Sequence, residues 1–210
     1  MTNKLIFIFL PLFTIVSCKE KTQKLEKVTI AVPKPTQTEN PSPEKVEPPS
    51  SAWDFMNVAV EKFPVSEATS FDTYDASYRE NHPAARVYRK LKRAQIEKLG
   101  LQDWLKNGTN VSVNYELPYS ENFRTFVFTY QDGEMELKTV MVTFDQNFKK
   151  IDALQIAYDE IAESWMRTKS VISKNTIEVS DYNESSGETE ITTTRYSITQ
   201  TGKLVSVSKK

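Results

Sequence analysis

The chain is poor in the residues that most chemistry needs: one cysteine, one histidine and five glycines in 210 residues. A lone cysteine excludes an intramolecular disulfide, and with a lone histidine it excludes a structural zinc site or a Cys-His catalytic pair. The few glycines form no phosphate-binding loop, no dinucleotide fingerprint and no G-x-S-x-G elbow. Charge of one sign is also missing, because a formal net charge of -1 argues against a dedicated nucleic-acid binder. Long apolar runs are lacking too. The longest, Leu5 to Val16, falls short of the roughly 20 residues that a spanning helix requires.

What is present is ordinary for one globular domain with accessories: 39% hydrophobic and 26% charged residues. The amino terminus has the layout of an export signal over residues 1–17, with a basic start at Lys4, the apolar stretch Leu5 to Val16, and Ser17 directly before Cys18. The run Ile15-Val16-Ser17-Cys18 resembles the lipobox of bacterial lipoproteins, and it holds the sole cysteine of the chain. That resemblance implies acylation of Cys18, which becomes the new amino terminus, and a protein held on the cell envelope by acyl chains without crossing the membrane. Lys19 after the cysteine, where an aspartate would favour inner-membrane retention in enterobacterial lipoproteins, points by analogy to the outer membrane.

Residues 18–51 hold Pro33, Pro35, Pro41, Pro43, Pro48 and Pro49 among Lys, Glu, Thr and Gln, a composition that buries no core and reads as a semi-extended tether. The folded domain is expected over 52–210. Ser51-Ala-Trp-Asp54 has capping-box spacing, and Trp53, Met56, Val60 and Phe63 follow at helical intervals up to Pro64. Residues 65–81 read as loop. Pro83 suits the first turn of a second helix, on which Ala84, Val87, Tyr88, Leu91, Ala94 and Leu99 gather on one side while Arg86, Arg89, Lys90 and Arg93 gather on the other. Gly100 should end it, with one further turn through Trp104 and Leu105.

From residue 110 the period changes to two. Alternating segments at 111–117, 123–130, 135–144, 150–158, 164–172, 176–182, 189–199 and 203–207 are separated by turn chemistry such as Asp132-Gly133, Ser186-Gly187 and Thr201-Gly202. The expectation is an α+β domain: two amino-terminal helices packed on one face of an antiparallel meander of about eight strands, which curls into an open half-barrel or closes as a barrel.

Candidate chemistry is sparse. His82 before Pro83 reads as a helix cap or an exposed side chain. The pairs Glu134 and Glu136, and Asp159 and Glu160, supply the carboxyls a glycosidase needs but sit at strand ends, and Asp145, Asn147 and Asp152 lack EF-hand spacing. Asn110-Val-Ser112 and Asn183-Glu-Ser185 match a glycosylation sequon that carries little meaning in a bacterial lipoprotein. No cofactor and no metal are expected. The surface feature that stands out is the basic face of Arg86, Arg89, Lys90 and Arg93, suited to an envelope protein with an acidic patch or to an anionic glycan or lipid. The reading is therefore a lipid-anchored envelope protein with a non-catalytic binding domain. A carrier that holds a lipid or other apolar ligand in the hollow of a curved sheet is the alternative.

Overall fold

Alternating side chains and short Gly- and Asn-bearing turns make each strand pair with the next, and the computed structural model, which describes residues 52–74, 88–161 and 165–207, follows that rule from residue 108 onward. The strands are β1 (Val65–Ala68), β2 (Arg89–Lys90), β3 (Gly108–Leu117), β4 (Arg124–Asp132), β5 (Glu136–Phe144), β6 (Lys150–Glu160), β7 (Met166–Ile172), β8 (Ile177–Asn183), β9 (Glu190–Ile198) and β10 (Leu204–Ser206). They form a ten-stranded antiparallel sheet in the order β10-β9-β8-β7-β6-β5-β4-β3-β2, an open path with β1 set against β7. All eight strands expected from the alternation are present, each within a few residues of its expected bounds.

The sheet is covered on both faces at its centre, which differs from the expected single covered face. Strand β4 is buried from Thr125 through Tyr130 without a break. One face carries Val113, Phe126, Phe128, Val142 and Phe144, under Met56, Ile96, Leu99 and Leu101. The other carries Tyr115, Leu117, Val127 and Met141, and packs with Val65 of β1, Ile156 of β6, Ile172 of β7 and Ile177 and Val179 of β8. The sheet thus coils back on itself, and the hollow expected of a half-barrel is filled by its own side chains. At the far end, the Gly202 carbonyl accepts the Thr143 hydroxyl at 2.7 Å, and the Leu204 amide donates to Asp152 Oδ2 at 3.0 Å. Gly202 has φ +82°, and a Cβ there would stand 3.1 Å from Phe123 and 3.0 Å from Ile151, so glycine is required both for the turn and for the approach.

The two expected helices are corrected. Over 53–63 there is only a 3₁₀ turn, Asp54–Met56, after which Val60 bridges to Glu116 in parallel. The cause is that its apolar residues serve different cores: Trp53, Phe55 and Met56 pack on the first face of the sheet, Phe63 on the second. Residues 65–68, expected as loop, form β1, where Val65 and Glu67 point inward in strict alternation. Within the described part of the second expected helix only α2 (Arg93–Lys98) is helical, α1 (Phe71–Tyr74) lies earlier in the chain, and Arg89 and Lys90 extend as β2 because the outer edge of β3 offers them backbone partners. Val111 accepts the Leu91 amide at 2.8 Å, continuing that edge to the start of α2. Gly100, with φ +68°, does end the helix, and the turn through Trp104 and Leu105 follows as 3₁₀. Pro83, His82 and Arg86 lie outside the described residues, as do residues 1–51 with Cys18 and the tether.

Candidate functional site

Of the cationic residues singled out by the sequence, the three described ones, Arg89, Lys90 and Arg93, do not share a helix face. Arg89 and Lys90 belong to β2 and Arg93 opens α2, so the corner between strand and helix brings them together. That corner is set by Lys92, whose extended ψ of 154° turns the chain and whose amide donates to Gln95 Oε1 at 2.7 Å, capping the helix. Arg89 Nη1 donates to the Asp54 carbonyl at 3.1 Å and so pins the amino-terminal 3₁₀ turn beside it. Lys90 Nζ donates to Asn110 Oδ1 at 3.4 Å. Arg93 pairs with Glu97 one turn on, at 2.9 Å and well exposed, so solvent screens the pair strongly.

Between this corner and the start of β3 runs a groove of about 340 Å³. Lys90 and Arg93 stand on its rim, Leu91, Ile96, Leu105 and Val111 line its apolar part, and Gly108 to Asn110 present backbone along the remaining side. Asn110 adopts φ +54°, a conformation its short amide tolerates, and its carbonyl accepts the Tyr74 hydroxyl. Among the described residues, Arg89, Lys90 and Lys92 form no salt bridge with a carboxylate. The groove therefore combines a basic rim, of which Lys90 forms no salt bridge among the described residues and Arg93 shares an exposed pair with Glu97, with an apolar floor.

A second cleft of about 370 Å³ lies at β5, β6 and β7, lined by Lys138, Gln155, Tyr158, Thr168 and Asp181 among others. Its charges are satisfied internally. Lys138 Nζ donates to Asp132 at 2.6 Å and Glu136 at 2.8 Å, and the Thr168 hydroxyl donates to Asp181 at 2.7 Å. Burial alone would lower the Lys138 ammonium, but its two carboxylate partners outweigh that and hold it above its ordinary value. Burial, then the bond to Glu160, pushes the Tyr158 phenol up. Both groups keep their protons through neutral pH and act as donors there.

Of the acidic residues noted in the sequence, Glu136, Asp159 and Glu160 have structural partners, Glu136 in its pair with Lys138. Asp159 accepts the Phe71 amide at 2.9 Å, and Glu160 accepts the Trp165 and Met166 amides at 3.2 and 3.0 Å. Asp145 accepts the Asn147 and Lys149 amides and so shapes the β5–β6 turn. Among the described residues no group of three or more His, Cys, Asp or Glu is placed to hold a metal ion.

Sequence reasoning missed a buried polar line beneath the second face. The Tyr115 hydroxyl donates to Glu67 at 2.5 Å, and Asn114 Nδ2 donates to Thr129, which bonds Thr139 at 2.7 Å. Alternation assigns Thr129 and Thr139 to a solvent face, and only the folding back of β1, β7 and β8 makes that face interior. No family model, curated protein or solved structure matches the chain. The reading of the groove rests on its own chemistry.

Proposed function

We propose that the protein is an exported bacterial lipoprotein, anchored at the outer membrane by acyl chains on Cys18, whose folded domain is a non-catalytic binding module. The Pro-rich composition of residues 18–51 suits a tether between the anchor and the domain. The observation that carries the binding role is the groove at β2, α2 and β3, with Lys90 and Arg93 above an apolar floor. Such a groove suits an acidic envelope partner that presents an apolar tip: charge steers the encounter and the floor takes the side chains. The carrier reading is set aside because the interior of the coiled sheet is filled by Tyr115, Val127, Met141, Ile156, Ile172 and Ile177.

The test uses full-length chain in the producing cells. Wild-type protein is expected in the detergent-rich phase and Cys18→Ala in the aqueous phase. The double variant Lys90→Gln and Arg93→Gln is expected to stay anchored while losing its crosslinked partner. An unchanged crosslinking pattern in the double variant would sink the groove reading, and membrane retention of Cys18→Ala would sink the anchor.

A further inference from the structure

We infer that the groove takes a second copy of this chain, whose acid-rimmed apolar tip lies at the same end of the sheet, so that two copies close into a two-fold dimer. The inference rests on the groove reading above and names its partner. The tip is made by Met135, Ile161, Trp165 and Met166, side chains of large apolar area that remain 42 to 50% exposed. They are held together and do not merely happen to be exposed. The Ile161 amide donates to the Met135 carbonyl at 3.0 Å, Glu160 Oε1 clamps the amides of Trp165 and Met166, and the Trp165 carbonyl accepts the Glu184 amide at 2.9 Å. An exposed apolar cluster whose backbone is hydrogen-bonded in this way marks an interaction surface.

Charge selects the partner. The tip is bordered by Glu134, Glu136, Glu160 and Glu184; Glu136 pairs with Lys138, which also holds Asp132, and Glu184 pairs with Arg167, so carboxylates outnumber cations there and the border stays net negative. The complement is a basic rim around an apolar floor, which is the groove. Its rim cations are Lys90, which forms no salt bridge among the described residues, and Arg93, whose exposed pair with Glu97 is strongly screened by solvent. Geometry lets one copy supply both halves. Gly108 of the groove pairs with Asp132, Asp132 with Glu136 and Glu136 with Glu160 of the tip, so groove and tip are three ladder steps apart, about 14 Å. A two-fold axis between them sets each groove against the other copy's tip and uses both surfaces at once.

The test is crosslinking in intact cells that co-produce two differently tagged full-length copies. The expected product is a mixed-tag dimer, lost with Trp165→Ala in both copies and lost with Arg93→Glu or Glu134→Lys in both. Combining one Arg93→Glu copy with one Glu134→Lys copy should restore it to within about twofold of wild type, because each single variant sets like charges together and the mixture sets opposite ones. All three positions are at the surface, and unchanged thermal midpoints would show that the fold is intact. Absence of a mixed-tag dimer in wild type, or its persistence in the single variants, overturns the inference. A monomer whose partner capture still depends on Lys90 and Arg93 overturns the dimer and leaves the groove reading standing.

Discussion

Phe148 closes the β5–β6 turn with a backbone that only glycine and asparagine adopt readily, φ +60°, yet its ring is 93% withdrawn from solvent, being 7% exposed. The ring stacks on Trp53 at 4.4 Å and 21°, lies 6.0 Å from Phe126, and has the Arg124 guanidinium 5.0 Å from its centre. It therefore ties the amino-terminal 3₁₀ turn to the sheet. Phe148→Ala removes the ring and keeps the unfavourable backbone. Buried Phe→Ala changes cost about 3 to 5 kcal/mol, and a site at a turn tip can collapse partly, so about 3 kcal/mol is expected. With a urea slope of about 2 kcal/mol/M, the midpoint falls by about 1.5 M. Phe148→Gly loses the same ring but releases the left-handed strain of about 1 to 2 kcal/mol, offset by about 0.5 to 1 kcal/mol of added freedom in the unfolded chain. The glycine variant should therefore be more stable than the alanine variant by about 0.5 to 1 kcal/mol. Urea unfolding followed by circular dichroism reads both numbers. A glycine variant less stable than the alanine variant would refute the strain argument, and a cost below about 1 kcal/mol for Phe148→Ala would refute the role of the stack.

Two further outcomes follow from the electrostatics. Tyr119, Tyr130, Tyr158 and Lys138 all sit above their ordinary values of 10.0 and 10.5, the tyrosines chiefly through burial and Lys138 through its carboxylates against the pull of burial. Each group's folded value exceeds its unfolded one, so its contribution is complete below pH 10 and is lost as pH rises and the unfolded chain gives up protons first. The urea midpoint should be insensitive to these groups near neutrality and fall above pH 10, less steeply in Tyr119→Phe; equal slopes in wild type and variant would count against the burial of that phenol. Arg124 grips Glu116 with two bonds, 2.8 and 2.6 Å, while its guanidinium lies 4.7 Å from the centre of Phe126, so Arg124→Lys should lose about 1 kcal/mol despite keeping the charge. Matching midpoints for wild type and Arg124→Lys would show that charge alone matters there.

The back half of the fold was legible because two signals agreed: alternation in segments such as Val111 to Leu117, and turn residues such as Gly133, Gly187 and Gly202 between them. Where a strand is too short to show a period, only its neighbours specify it. Arg89 and Lys90 are extended because β3 leaves an edge open, and β1 exists because β7 accepts it. The spacing of Trp53, Met56, Val60 and Phe63 matches a helix, yet Val60 is 57% exposed and the others divide between two cores, so tertiary contacts overrode the period. Phe126-Val127-Phe128 carries the signal that was underused: consecutive apolar residues mean a strand covered on both faces. The cations at 89, 90 and 93 were legible as a cluster, but the groove was not, since its other wall comes from Gly108 to Val111.

The placement of the groove follows from how this sheet handles its edges. A long sheet exposes unpaired backbone at its ends, and here the terminal strands are short, two residues in β2 and three in β10, which limits the template for indiscriminate pairing. On the β3 side, the chain leaves that edge after Leu91 and turns into α2, so the first residues of β3 are bordered by a helix corner where a strand would otherwise lie. The departure opens a cleft whose floor is supplied by apolar side chains anchored in the core, Ile96 at 3% and Val111 at 3% exposure, and whose rim is supplied by the long side chains of Lys90 and Arg93. Rigid floor and adaptable charged rim are the two properties that let one surface be selective in shape and tolerant in detail. The same device that blunts the edge thus creates the surface on which the proposed partner docks.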